Sequence, residues 1–566
     1  RPRCRAHAKV CLPFPAMVMA AAAPLPDIRP QPEAWKPSKV WHVTRGASGM
    51  WRGSPGAVLA VRLGAVGPGM LAVAAAVLGL HGRVQRPVRS GRRAAPPRPL
   101  GEFPLLGHLP LLGLDSIGLP AAEPTHLVLH RLARIYGDVM ILRFGAQEVA
   151  VLSSPEAVEE ALAAGGGMAA AGRPQLGSMR ANGLCRGLSA PEPDADWRVL
   201  RGLVLREAFA QAAVERTRPL LEEEASRLVV GLREVAGRPV KVRPHIRRAA
   251  VSFLLRWALS LRPGAPEASR LENLIEEAWS LLTNPTTSVT DFVGVPGMSR
   301  LRQLRRERSD ILRACIAERR NDPRARKQAD FLDALLATQQ KHRISDVLVE
   351  STLVELTTAG ISTVAAAIEW LILLLAQHPT KQSAARRDIA NAGHSEYLEA
   401  CIQETLRLKT PLFVPRQCLD RIRVRGLTIP AGTLLLPQSY ALAHDEVLWR
   451  GGPPDAFVPE RFLDVEGPLM SLMPSVRSGC PFGGAGRPDA AAVGSSGDTA
   501  YKFLPFGTGA RFCPGAGLAL LEIRVFASAL LTELAWRPGA ALDLSEAYSL
   551  TLSPRRPCPL VFVARR

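Results

Sequence analysis

The strongest chemical signal in the chain is one short segment, Phe506-Gly507-Thr508-Gly509-Ala510-Arg511-Phe512-Cys513-Pro514-Gly515. A glycine-rich loop leads to a cysteine, and a helical pattern carrying Leu518, Ala519 and Glu522 begins just after it. A thiolate binds metals and attacks, but it persists only beside donors and positive potential. A helix start supplies the positive end of a dipole, and glycines let backbone N–H groups approach sulfur closely. Arg511 adds a cation able to pair with an anionic group. Read bare, the same residue is an inert thiol buried in a turn. Other segments hold chemistry only in combination. Glu404 and Arg407 stand three apart, on one helix face and in ion-pair reach, a spacing that solvated surfaces also use. Trp197 and Arg201 share a face at i and i+4. Ala359-Gly360-Ile361-Ser362-Thr363 sets a helix-weakening glycine and two hydroxyls inside an apolar helix, where hydroxyls also bond back to their own backbone.

The cysteine segment resembles the haem loop of the cytochrome P450 family, Phe-x-x-Gly-x-Arg-x-Cys-x-Gly, at every fixed position. The resemblance implies haem b (iron protoporphyrin IX), with Cys513 as the axial thiolate of its iron and Phe506, Arg511 and Gly515 in the cofactor-binding loop. A thiolate ligand pushes electron density onto iron and favours O–O cleavage. Further segments follow in the family's order. Glu404-Thr405-Leu406-Arg407 and Pro459-Glu460-Arg461-Phe462 are similar to the segments whose Glu, Arg and Arg form a buried structural network; three charges in an apolar body have to be paired. Trp197-Arg198-Val199-Leu200-Arg201 resembles the helix motif whose Trp and Arg reach a haem propionate. Arg416, after Pro415, stands where relatives keep another propionate partner, though a surface arginine fits its local context equally. Ala359 to Thr363 resembles the oxygen-binding segment, so Gly360, Ser362 and Thr363 are the implied catalytic group, with Gly360 leaving room for a ligand on iron. Ser362 departs from the pattern, because the family usually has an acid there. That departure implies slower or rerouted proton delivery. The resemblance covers about residues 96–566, including Phe103-Pro104-Leu105-Leu106-Gly107 and Tyr136-Gly137-Asp138-Val139. Ile368-Glu369-Trp370 and Cys513-Pro514-Gly515 are similar to the plant-type and microsomal branch.

These residues need elements to carry them. The pattern predicts a helix over 125–136, strands at Val139–Leu142 and Glu148–Leu152 around Gly145, and a helix opened by Ser153-Ser154-Pro155. Helices follow over about 196–212, 215–235, 246–260, 266–283, 298–321, 328–338, 345–378 and 395–408. The second half of 345–378 is almost uncharged, and a helix apolar all round is buried. Short strands occupy 410–440, a loop-rich region runs to about 510, one helix covers 514–534, and paired strands close the chain. The expected fold is mainly α with a small β part, the cytochrome P450 fold, with haem between the helix near Thr363 and the Cys513 loop. Residues 465–500, rich in Gly, Ser and Ala, read as a flexible insertion into the 100–566 catalytic domain. The stretch 380–396 is shorter than relatives have.

Hydrophobic residues make up 47% of the 566, enough for a large core and against wholesale disorder. The nine cysteines are an odd number, irregularly spaced, and none has zinc spacing, which argues against a disulfide framework and for a reducing compartment. The formal net charge is +20, but arginines dispersed among apolar residues, without aromatic interleaving, speak against nucleic acid. Residues 1–56 read as a disordered, targeting or untranslated leader, Arg-rich and acid-poor like a transit peptide. Residues 57–82 hold the uncharged run Leu63–Leu80, long enough for a membrane anchor although Pro68 and glycines weaken it. Arginines at 83, 86, 89, 92 and 93 place the basic flank in the cytosol, and 83–99 form a basic, proline-rich linker. The expected site is the cytosolic face of the endoplasmic reticulum membrane, with plastid or mitochondrion as the alternative. The expected reaction inserts one atom of O2 into a small apolar substrate. Electrons come from an NADPH-dependent flavin reductase, a separate protein because the chain has no Gly-rich dinucleotide signature. The alternatives are a reductase-independent haem-thiolate isomerase or dehydratase, which Ser362 motivates, and a degenerate haem-binding protein.

Overall fold

Proline, serine and acidic caps start most of the helices that position the site. In the computed structural model, which describes residues 95–565 apart from 101, 103–106, 110–123, 164–166, 283–297, 322–329, 393–394, 412–413, 464–499 and 549–550, the helices are α1 Thr125–Tyr136, α2 Pro155–Leu162, α3 Ala195–Leu203, α4 Arg218–Glu234, α5 Arg243–Leu259, α6 Pro266–Leu282, α7 Ser299–Asn321, α8 Phe331–His342, α9 Asp346–Gln377, α10 Pro379–Ala392, α11 Glu396–Leu408 and α12 Ala516–Glu533, with shorter turns between them. The expected leader, anchor, most of the linker, residues 465–499 of the insertion and Phe103 to Leu106 lie outside the described residues. The observed fold is mainly α with a small β part, as the resemblance implied.

α9 is the axis of the body. Ser345 caps it, accepting the Leu348 N–H at 3.3 Å. Its second half is buried on all sides, from Val364 to Ala376. α5 and α12 pack along it, and α4 packs on both of those. One large core gathers Phe253, Trp370, Phe526 and Phe562. Among the described residues α9 is the one helix long and apolar enough to cross a membrane, and it lies inside the fold.

The larger sheet runs β1 Val139–Phe144, β2 Gln147–Leu152, β7 Leu434–Pro437, β4 Arg416–Gln417. β1 and β2 form an antiparallel hairpin, β2 pairs with β7 in parallel from Val149 opposite Leu434, and β4 returns antiparallel to β7. A second sheet joins β3 Pro239–Val240, β11 Leu560–Ala564 and β8 Leu534–Pro538. β5 Ile422–Val424 pairs with β6 Leu427–Ile429, and β9 Glu546–Tyr548 with β10 Leu552–Pro554.

Two expectations need correction. The helix expected over 196–212 stops being α-helical after Leu203. A π-helical turn spans Val204–Ala208, closed by Phe209 N–H to Val204 O at 3.1 Å, and a short helix resumes at Gln211. Such single π turns are rare and recur at functional sites. The second is α10, absent from the pattern because its residues show no apolar period. Pro379 fits its first turn, where no N–H is needed. Polar anchors hold it: Gln382 Nε2 donates to Leu375 O and Trp536 O, and Arg386 Nε donates to Leu531 O at 3.1 Å.

Candidate active site

The cysteine loop is built on glycines. At Gly509 φ is +63°, and a Cβ there would stand 2.3 Å from Leu162 O, so any side chain is excluded. The Cys513 N–H donates to Phe506 O at 3.0 Å, closing the loop on itself. Gly515 caps α12, and its backbone N–H is bonded to the Cys513 sulfur. Burial pushes the Cys513 thiol up; the Gly515 N–H, then the charges of Arg201 and Arg173, oppose that. One N–H donor and two nearby cations thus favour the thiolate, although burial outweighs them. Gly515 also lies against the Phe209 ring that follows the π turn, 3.6 Å from where a Cβ would stand.

Arginines converge on the same loop. Arg201 Nη2 donates to Phe512 O at 2.5 Å, and Arg416 Nη2 donates to Thr508 O at 2.5 Å. Arg511 donates to Ala171 O, Leu188 O and Ala190 O at 2.8, 2.8 and 2.6 Å. Arg511 and Arg201 both lie over the Trp197 ring, at 4.3 and 5.4 Å from its centroid. Asp194 caps α3 by accepting the Trp197 N–H at 2.8 Å, which sets the tryptophan in place. Arg173 joins them, donating to Val414 O and Pro415 O at 2.9 Å each. Sequence reasoning missed Arg173; it stands in a turn region with no local pattern to mark it. Burial and mutual repulsion lower these cations: Arg173 to about 10, Arg511 to about 9, and Arg416 well below its ordinary value. Among the described residues, Arg173, Arg416 and Arg511 have no carboxylate in ion-pair reach. Buried charge without a counter-charge is costly. A dianionic group at this place would supply what the chain does not, and two carboxylates on one cofactor fit the donor set.

α9 offers an open stripe nearby. Leu356, Ala359, Gly360 and Thr363 are the accessible positions in its middle, while Thr357, Thr358, Ile361 and Ser362 are buried. Thr363 Oγ1 donates to Ala359 O at 2.8 Å, a local bond within a helix that runs unbroken from Asp346 to Gln377. Gly360 has a second task beside leaving the stripe open: a Cβ there would meet Leu254 Cδ1 of α5 at 3.2 Å, so its smallness serves helix packing. Ser362 is on the packed side of α9, away from the stripe.

The charged network assembles. Arg407 Nε donates to Glu404 Oε2 at 2.7 Å and Nη2 to Oε1 at 2.8 Å, with both side chains fully buried. Arg461 Nε lies 3.5 Å from Glu404 Oε1, and the Val458 N–H donates to the same oxygen at 2.9 Å. Arg461 also donates to Trp449 O and Pro453 O, and Arg407 to Ala443 O and Ala456 O. The triad fastens α11 to the turn Pro459–Phe462.

Comparison with known proteins gives the family. Residues 96–557 match the family model described as cytochrome P450. Oryzalexin E synthase of Oryza sativa subsp. japonica is 28% identical over 484 residues, 80% of this chain and 88% of that protein. Dimethylnonatriene synthase of Zea mays is 29% identical over 545 residues, 87% of this chain and 96% of that protein. A zebra fish cytochrome P450 solved with progesterone shares the fold, with a TM-score of 0.64 and 22% identity over 78% of this chain and 100% of that one. The chain therefore belongs to the cytochrome P450 family, among its plant-type members, and is a haem-thiolate monooxygenase.

Proposed function

We propose that this monooxygenase holds haem b through Cys513 and inserts one oxygen atom from O2 into a small apolar substrate. Bound there, the haem iron supplies oxygen activation, the chemistry that no side chain of the chain can supply. Arg201, Arg416 and Arg511 would hold the two propionates, with Arg173 beside them and the Trp197 ring, its N–H on Leu188 O, packed against Arg201 and Arg511; Phe506 and Gly515 would shape the loop around the sulfur. Gly360 would leave room for oxygen on the iron, and the Thr363 hydroxyl, by leaving Ala359 O, would donate its proton there and take another from solvent. Ser362 takes the place of the acid usual in the family, so proton supply runs through Thr363 and solvent. Glu404, Arg407 and Arg461 hold the core and take no part in chemistry.

Electrons come from NADPH through a separate flavin reductase. The apolar run at 63–80 and the arginines after it support an anchor, with the catalytic domain on the cytosolic face of the endoplasmic reticulum. A nonatriene in the maize relative's name supports an apolar substrate. The observation that carries the reading is Cys513, whose sulfur receives the Gly515 N–H close to the buried arginines Arg173, Arg416 and Arg511, which have no carboxylate in ion-pair reach.

The test is the difference spectrum of the reduced protein with carbon monoxide, beside Cys513→Ala. A red-shifted thiolate-type Soret band, lost in the variant, is the expected result. A histidine-like band, or no haem in the wild type, would sink the assignment.

A further inference from the structure

Glu355 lies on α9 two turns before Thr363 and is 5% exposed. No motif in the chain draws on it. Its Oε1 accepts the backbone N–H of Gly187 at 3.2 Å and of Ser189 at 3.1 Å. The approach requires glycine, because a Cβ at 187 would stand 2.5 Å from Glu355 Oε2. The carbonyls of the same loop serve another set of residues. Leu188 O accepts both Trp197 Nε1 at 2.9 Å and Arg511 Nη1 at 2.8 Å, and Ala190 O accepts Arg511 Nη2 at 2.6 Å. Pro191 O accepts the Arg173 backbone N–H at 2.8 Å. The loop is a clip with two sides: its N–H groups grip α9, and its carbonyls hold the cations beside the cysteine loop.

We propose that Glu355 is a positioning residue: by gripping the Gly187–Ala190 loop it fixes the carbonyls that hold Trp197 and Arg511 in place beside the haem carboxylates, and so it ties haem retention to α9. The inference rests on the haem reading above.

An ionised acceptor holds N–H donors about twice as strongly as a neutral one. Burial, opposed by the Ser189, Leu188 and Gly187 donors, pushes the Glu355 carboxyl up to about 7. The grip is therefore full above that pH and weakens below it. The charged groups around it are consistent with this. Arg511 feels its charge from the cysteine loop, and Cys185 feels it from the preceding turn, where Arg180 and Arg305 also act. From α7, Arg308 donates to Asn182 O and Oδ1 and lies 3.5 Å from Thr358 Oγ1.

The experiment measures haem transfer from the full-length haem-loaded protein to excess apomyoglobin, at pH 6 and pH 8.5. The wild type is expected to lose haem ~10-fold faster at the lower pH, the usual scale for an outer-shell partner. Glu355→Gln is expected to lose it at the fast rate at both values. Gly187→Ala keeps the carboxylate but pushes it away, so it is expected to accelerate loss at pH 8.5, and it decides the matter if Glu355→Gln does not accumulate folded. A wild-type rate and pH profile in Glu355→Gln, or an unchanged rate in Gly187→Ala, overturns the proposal. A wild type without a thiolate-type carbon monoxide spectrum would instead overturn the haem reading.

Discussion

Arg416 is buried to 4% exposure, donates to one carbonyl, and has Arg173, Arg511 and Arg201 for electrostatic neighbours. Such a residue is a burden on the haem-free protein and an asset once an anion arrives. Arg416→Met is accordingly expected to stabilise the haem-free form by about 1–3 kcal/mol, as neutral replacements of buried charge do. The haem-loaded form should instead lose haem ~10-fold faster. Urea unfolding of the two forms checks the pair of signs; loss of stability in both would count against the cradle. At this scale the cysteine loop was legible in the sequence because its parts are contiguous: donor glycines, cation and sulfur lie within ten residues. Arg173 and Glu355 were not, because each acts through space on a partner distant along the chain. Nothing local distinguishes Arg173 from other arginines in a turn, or Glu355 from any acid on a helix.

Between elements, the decisive fastening is Glu404 of α11, which serves Arg407, Arg461 and the Val458 N–H together. Removing the acid leaves two cations buried beside the turn Pro459–Phe462. Glu404→Ala is expected to cost about 3–5 kcal/mol, whereas the double change Glu404→Leu with Arg407→Met costs less, since it removes one of the two stranded charges and leaves only Arg461. Denaturant midpoints of both variants test this, and equal losses would contradict it. Most elements were legible from apolar period and caps. α9 was plainest, since a long uncharged stretch has nowhere to go but the core. α10 was hidden because carbonyls of α12 and β8 hold its polar side chains. The π turn after α3 was hidden because nothing in Val204–Ala208 forbids a regular helix; the break appears only in the folded chain, where Phe209 meets Gly515.

Across the whole described body, Glu546 of β9 is a long-range tie. Its Oε2 lies 2.5 Å from His126 Nε2 of α1, and its Oε1 meets Lys409 at the end of α11. Burial alone would push its carboxyl up, but the His126 hydrogen bond and the Lys409 charge outweigh that and hold it at about 2, against an ordinary 4.5. A lowered carboxyl contributes stability that is present above 4.5 and lost as pH falls toward 2. That contribution is about 3 kcal/mol. The stability gap between wild type and Glu546→Gln, measured by urea unfolding, is expected to be widest near neutral pH and to narrow steadily below 4.5; a constant gap would refute the tie. The order of the sheets was not legible at this scale. The β1–β2 hairpin shows in its alternation, but no residue of β2 announces that β7 will lie beside it.

That parallel pairing has a consequence during synthesis. Val149 leaves the ribosome long before its partner Leu434 exists. At ~5–20 residues per second the delay is on the order of 15–60 s. Through that time the hairpin has one edge of unanswered backbone groups and an apolar face, the combination that invites pairing with the wrong chain. Faster elongation, or a chaperone that covers the hairpin, shortens the time in which a foreign strand can take the edge that Leu434–Pro437 later claims.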